Sequence, residues 1–231
     1  PHSFTKDVCV VKLDKDRFLP NFRGNVIELG VWRSASPIPC SRYYPATAMK
    51  SGFEWLDDRL LELRGILPDD RMHHPDKKDH DGENCLFVIK RGLPTIGRAT
   101  GCCSYAREYF PNQMPRASTE WAVLPYDHKS RAFSESGESG SMISYGTVEF
   151  GGLITGGCGE TDSSDLTYAA PMFWLWPIIQ AKFPHATFVR SLTRFVSFTT
   201  PSTIFILLFG SFFLDAHYLL VGCNLWYSRS L

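Results

Sequence analysis

Short apolar runs separated by glycine and turn residues dominate the middle of the chain. Runs of this length that are rich in β-branched and aromatic residues predict strands. The predicted strands here are 85–90, 93–100, 120–125 and 142–150. Several short strands joined by turns indicate an antiparallel, mainly β architecture.

The first third of the chain has a different pattern. Residues 7–13 and 25–30 read as short strands, and the proline-rich stretch 34–47 reads as loop. Residues 51–67 predict a helix, because Ser51 is a suitable N-cap and leucines recur at three- and four-residue spacing to Leu67.

A charged loop follows at 69–84. It carries metal-ligand residue types, but their spacing matches no established site, so a solvated linker is the favoured reading and no metal is expected. The residues concerned are His73, His74, Asp76, Asp79, His80 and Asp81.

The segment Phe133–Ser141 contains a serine between glycines, in the order Gly-Glu-Ser-Gly-Ser over 137–141. A tight turn of this kind can expose a nucleophilic oxygen and aim the backbone N–H groups of Gly137 and Ser139 at one point, as an oxyanion hole requires. The alternative is that glycine and serine are simply turn formers in a solvated loop. A second glycine-rich segment follows at 151–157.

Gly137–Ser141 resembles the Gly-Asp-Ser-Gly-Gly/Ser signature of trypsin-like (chymotrypsin-fold) serine peptidases. Gly152–Gly157 is similar to the strand that lines their substrate cleft, and Leu166–Pro171 to their last strand. Phe173–Phe183 takes the place of their C-terminal helix. Asp7–Leu13 resembles the strand that carries their catalytic aspartate.

The chain is also similar to uncharacterised fungal proteins with a trypsin-like peptidase domain, through the lysine-glycine strand Val88–Gly92 that precedes the serine loop. The resemblance implies an incomplete double β-barrel. Residues 85–183 would form a six-stranded barrel and a short C-terminal helix, with residues 7–30 packed beside it as remnants of the first barrel. The helix at 51–67 and the charged loop to residue 84 would be an insertion. We therefore expect a peptidase-like domain at 1–184 and an apolar tail of unclear origin at 185–231.

The resemblance also implies roles for individual residues. Ser139 would be the nucleophile, Gly137 with Ser139 the oxyanion donors, and Asp7 the residue that orients the base. Phe133 would form the floor of the primary specificity pocket and favour small or apolar side chains, unless it is an ordinary core residue. The edge of the pocket would be Thr155, Gly156 and Gly157.

The catalytic base is missing from this pattern. The family places its histidine well before the aspartate, and His2 lies an odd number of positions from Asp7, so on one strand the two would face opposite sides. His128 reads as a surface-loop residue. We therefore expect a serine endopeptidase-like domain that is inactive in this chain. A pseudo-peptidase that binds a protein partner without catalysis is the alternative.

Composition restricts the partners and the compartment. With 24 basic and 24 acidic residues the net charge is zero, so no nucleic-acid partner is expected, and no cofactor. The seven cysteines are an odd number and none of them has Cys-x-x-Cys spacing, which favours a reducing, intracellular compartment. The tail leaves three possibilities open: extraneous sequence, a packed or oligomer-forming segment, or a membrane anchor through 203–221, which an aspartate interrupts.

Overall fold

A computed structural model describes residues 3–10, 14, 25–28, 60–90, 95–109, 111, 114–128, 130–145, 149–158 and 166–188. The strands are β1 (Val26–Glu28), β2 (Leu60–Glu62), β3 (Lys77–Lys78), β4 (Asn84–Lys90), β5 (Thr95–Ala99), β6 (Cys103–Glu108), β7 (Arg116–Pro125), β8 (Met142–Tyr145), β9 (Glu149–Cys158) and β10 (Leu166–Pro171). The helices are α1 (Asp69–His73) and α2 (Met172–Lys182).

Six strands close into an antiparallel barrel in the order β4, β5, β7, β10, β9, β8 and back to β4. This confirms the predicted six-stranded barrel and the C-terminal helix. The predicted strand 142–150 is wrong as a single strand, because its two ends belong to the antiparallel neighbours β8 and β9. Strand β6 was not predicted. It forms a hairpin with β7 over six residue pairs, from Cys103 opposite Trp121 to Glu108 opposite Arg116.

The interior of the barrel is filled by alternate residues of its strands. Leu86 and Val88 of β4 and Trp121 and Val123 of β7 point inward, as the two-residue period of a strand requires. The ring of Phe133 completes this cluster, and Gly97 makes room for it, because a Cβ at Gly97 would lie 2.6 Å from the ring. Large side chains therefore meet at the centre of the barrel.

A second cluster lies outside the barrel, between β9, α2 and the small sheet of β1 and β2. It joins Ile27, Leu61 and Leu63 to Leu153 and Ile179, and Val8 and Val10 pack against it. The prediction that residues 7–30 pack beside the barrel is confirmed for the described part of that range. Burial of apolar area on both faces of β9 stabilises the barrel wall at about 25 cal/mol per Å².

Two local predictions are wrong. Residues 60–62 form strand β2 rather than the end of the predicted helix, and residues 7–10 belong to no strand. Buried Leu61 of β2 and buried Leu63, which follows the strand, alternate with the more exposed Glu62, and β1 supplies the pairing partner. A leucine-rich run fits both periods, and tertiary pairing selects the strand. Residues 51–59 and 11–13 lie outside the described residues.

The predicted charged loop contains a short helix that the pattern did not indicate. Helix α1 buries Met72 in the barrel cluster, and two aspartates occupy its first turn, where they suit the helix dipole. The predicted loop 34–47 and the tail beyond residue 188, including 203–221, lie outside the described residues. Over the part of the chain that is described, no helix has the length and apolar character needed to cross a bilayer.

Candidate functional site

Ser139 lies in a turn between β7 and β8 and is half-buried. Gly137 and Gly140 flank it with φ angles of +92° and +83°, in the left-handed region that favours glycine. The amide of Glu138 donates to Glu135 O at 3.2 Å, and that of Ser141 donates to Glu138 O at 2.9 Å. Two consecutive tight turns therefore present residue 139 at the tip of the loop.

The loop is attached to the barrel at both ends. The amide of Gly140 donates to Ile154 O at 2.7 Å, and that of Ile154 donates to Ser141 O at 3.0 Å, so the loop continues into the β9 ladder. At the other end, Ser134 Oγ and Thr167 Oγ1 share a hydrogen bond of 2.6 Å. These contacts fix the loop against β9 and β10.

A buried ion pair holds the loop from inside the barrel. Lys90 follows Leu86 and Val88 in the inward row of β4, its side chain is 2% exposed, and its Nζ donates to Glu138 Oε1 at 2.5 Å. The other oxygen, Oε2, accepts the amide of Glu135 at 2.7 Å. Lys90 was not predicted as a site residue. The two-residue period of the strand places it on the same face as Leu86 and Val88, so the sequence pattern could have indicated a buried lysine here.

The predicted cleft edge lies on β9 next to β10. Thr155 and Gly156 are half-buried and Gly157 is exposed, with Gly157 opposite Thr167. A Cβ at Gly156 would have no atom within 4 Å, so this edge faces open space.

Glu120 is a second buried carboxylate near this edge, and the sequence pattern gave no sign of it. It is 2% exposed and accepts hydrogen bonds from three hydroxyls: Thr5, Ser118 at 2.7 Å and Thr155 at 2.9 Å. Such hydroxyl donors satisfy the acceptor capacity of a buried carboxylate. Glu120 thereby joins the N-terminal segment to the predicted cleft edge.

Asp7 follows this attachment by two residues and is half-buried. The segment before it runs parallel to β7, where Thr119 donates its amide to Ser3 O at 3.0 Å. Phe4 packs edge-on against Phe173 of α2, with ring centroids 6.1 Å apart. The structure thus brings the Asp7 segment to the β7 and β9 side of the barrel, and the orienting role of Asp7 stays a prediction.

Phe133 is completely buried in the barrel interior. Its ring lies against Gly97, and Lys90 Nζ is 6.0 Å from the ring centroid, within range of a cation–π contact. Its surroundings are those of the ordinary core residue that the sequence left as the alternative to a pocket floor.

The charged loop holds one compact group of possible metal ligands among the described residues: Asp79, His80 and Asp81. Asp79 is already committed to protein partners, since Arg98 pairs with it and the amides of Asp81 and Glu83 each donate to it at 2.9 Å. Burial acts to raise the pKa of Asp79, but these donors outweigh it and the pKa is lowered. The carboxylate closes the loop onto β5.

The five described cysteines, Cys9, Cys85, Cys102, Cys103 and Cys158, are thiols rather than disulfides. Burial raises the pKa of Cys85 to about 11, which makes this core thiol inert at neutral pH.

Comparison with models of known protein families and with curated proteins gives no match. The closed six-stranded barrel is compatible with the fold that the serine-loop resemblance implies.

Proposed function

We propose that this chain is a trypsin-like serine peptidase domain in incomplete form. Ser139 is the nucleophile that hydrolyses peptide bonds when the domain is complete, and polypeptide is the substrate class. The observation that carries the proposal is the serine turn. Ser139 stands between two left-handed glycines on a half-exposed loop that is fixed to β9 and to Lys90.

This construction suits acyl transfer for a physical reason. An oxyanion hole stabilises developing charge only if its donors are already in place, because donors that must reorganise lose the advantage. The Glu138 carboxylate bonds both Lys90 and the Glu135 amide, so it restrains the residues on either side of Gly137. Rigid backbone at 137–139 is what the predicted donors need.

We propose that the catalytic base is the component that this domain lacks. Four of the five described histidines have contacts in α1 or the charged loop: His73 and His74 contact the aspartates of α1, and the ring of His128 is 6.3 Å from that of His80. The fifth, His185, is exposed shortly after the end of α2. His80 lies near the Asn84 end of β4, whereas Lys90 is at the other end, about 20 Å along the strand. We therefore expect the serine hydroxyl to stay protonated at neutral pH and turnover of peptides to be negligible.

The test is labelling of the purified chain with a fluorophosphonate, in which the serine oxygen bonds to phosphorus and fluoride leaves. We expect slow labelling at Ser139 that rises about tenfold per pH unit, as for a hydroxyl ionised by solvent alone. Ser139→Ala should abolish it. Ser136→Ala, which changes an exposed serine of the same loop, is the matched control and should not affect it.

Two results would contradict the proposal in different ways. Labelling at Ser139 no faster than at Ser136 would contradict the assignment of Ser139 as the nucleophile and favour the non-catalytic binding module. Rapid, stoichiometric labelling at pH 7 would show that a base acts on Ser139 and that the chain is a working enzyme.

A further inference from the structure

A thiol, an imidazole and a carboxylate form a relay on the side of the barrel where α1 meets β6. Cys103 Sγ is 3.7 Å from His73 Nε2, and His73 Nδ1 is 2.8 Å from Asp69 Oδ1 and 3.1 Å from Asp69 O. Both Asp69 atoms accept a hydrogen, so Nδ1 carries the proton and Nε2 presents its lone pair to the sulfur. This is the arrangement of a nucleophile, its base and the group that orients the base.

The scaffold holds the two halves of the relay together. Met72, next to His73, is completely buried in the barrel cluster, and Cys103 is paired with the buried Trp121 in the β6–β7 ladder. Gly101 has φ +82°, and a Cβ there would lie 2.7 Å from His73 O. The chain passes this close to α1 only because residue 101 is glycine.

The same helix provides an internal comparison. His74 has an equivalent contact with the carboxylate four residues before it, with Nδ1 3.1 Å from Asp70 Oδ1. Its side chain is 77% exposed, against 39% for His73. The described contacts of the helix place His73, and not His74, against a cysteine.

The surroundings of Cys103 decide how such a thiol would react. Burial is the main effect that raises its pKa, and the nearby Cys102, Asp69 and Glu120 act in the same direction. The sulfur is therefore protonated at neutral pH, and its reaction requires a base that takes the proton in the same step. Cys103 is half-buried, so small reagents can reach it.

We propose that Cys103 is a base-assisted nucleophile that takes small, uncharged α,β-unsaturated carbonyl compounds, with His73 as the proton acceptor and Asp69 as the positioning residue. In the reaction, His73 Nε2 removes the S–H proton and the sulfur forms a bond to the β-carbon. The π electrons of the double bond move to the carbonyl as an enolate. The imidazolium returns the proton to the α-carbon, and the product is a thioether with no change of oxidation state.

The test measures the rate of addition of N-ethylmaleimide to Cys103 in the full chain from pH 5.5 to 8.5, by peptide mass spectrometry. All variants also carry Cys102→Ser, so that Cys103 is the only reactive thiol of this adjacent pair. We expect a rate that levels off within this pH range, because the base removes the proton in the same step, instead of rising tenfold per unit towards the thiol pKa. His73→Gln should remove this plateau and lower the rate at pH 7 by at least about tenfold.

Asp69→Asn should lower the plateau in part, and His74→Gln should leave it unchanged. A rate in the Cys102→Ser protein that follows a single thiol ionisation, and that His73→Gln does not alter, would overturn the proposal. An equal loss in both histidine variants would also overturn it, since that would be an effect of the helix and not of the base. None of these outcomes bears on Ser139.

Discussion

Removing one partner of the Lys90–Glu138 pair should destabilise the barrel strongly, and the two single variants should differ. Lys90→Met keeps the length of the stem and leaves the Glu138 side chain, which is 18% exposed and still accepts the Glu135 amide. Glu138→Gln leaves an ammonium group whose side chain is only 2% exposed. Glu138→Gln therefore leaves the unpaired charge on Lys90, the less exposed of the two side chains.

The expected magnitudes follow from this difference. Breaking a buried ion pair from one side costs about 3–5 kcal/mol, because an unpaired charge remains in a medium of low dielectric constant. We place Lys90→Met near the lower end, about 3 kcal/mol, and Glu138→Gln near the upper end, about 5 kcal/mol. The double variant Lys90→Met/Glu138→Leu removes both charges, and it should recover to within about 1 kcal/mol of the wild type.

Urea unfolding followed by tryptophan fluorescence measures these changes, since Trp121 is completely buried in the barrel. The reasoning is refuted if each single variant loses less than about 1 kcal/mol, or if the double variant is as unstable as the sum of the two. In either case the pair does not hold the serine loop. Fluorophosphonate labelling of the same variants then tests whether Ser139 depends on it.

Two further predictions concern the α1 side of the barrel. Gly101→Ala should cost at least about 1 kcal/mol more than Gly82→Ala, because both residues have φ +82° but only at Gly101 would the Cβ meet a backbone atom, His73 O at 2.7 Å; equal losses in thermal or urea unfolding would show that the contact can relax. Burial, together with the Asp76 carboxylate, raises the pKa of Tyr145 to about 12 from an ordinary value of 10.0. Below pH 10 the stabilisation linked to this shift is fully present, and it is lost as the pH rises towards 12, so the free energy of unfolding should fall more steeply with pH in the wild type than in Tyr145→Phe; identical slopes would contradict the shift.

The sequence by itself determined most of the barrel strands and the serine turn. Runs such as 85–90 and 120–125 became β4 and the second half of β7 because a short β-branched or aromatic run between turn residues has few ways to bury itself other than in a sheet. The glycines at 137 and 140 indicate the serine turn, because the left-handed backbone conformation that they adopt costs little free energy only for glycine. These are local properties, and local pattern is enough to read them.

Tertiary structure decided what local pattern leaves ambiguous or cannot express. The leucine-rich run at 60–63 satisfies both helix and strand periods, and pairing with β1 made it a strand. Glu138 contacts Lys90, which lies 48 residues away in the sequence, and Cys103 contacts His73, which lies 30 residues away. These long-range contacts depend on the strand register of the closed barrel and on the packing of Met72, which anchors α1 to the barrel core. Neither can be predicted from the sequence spacing of the residues in contact.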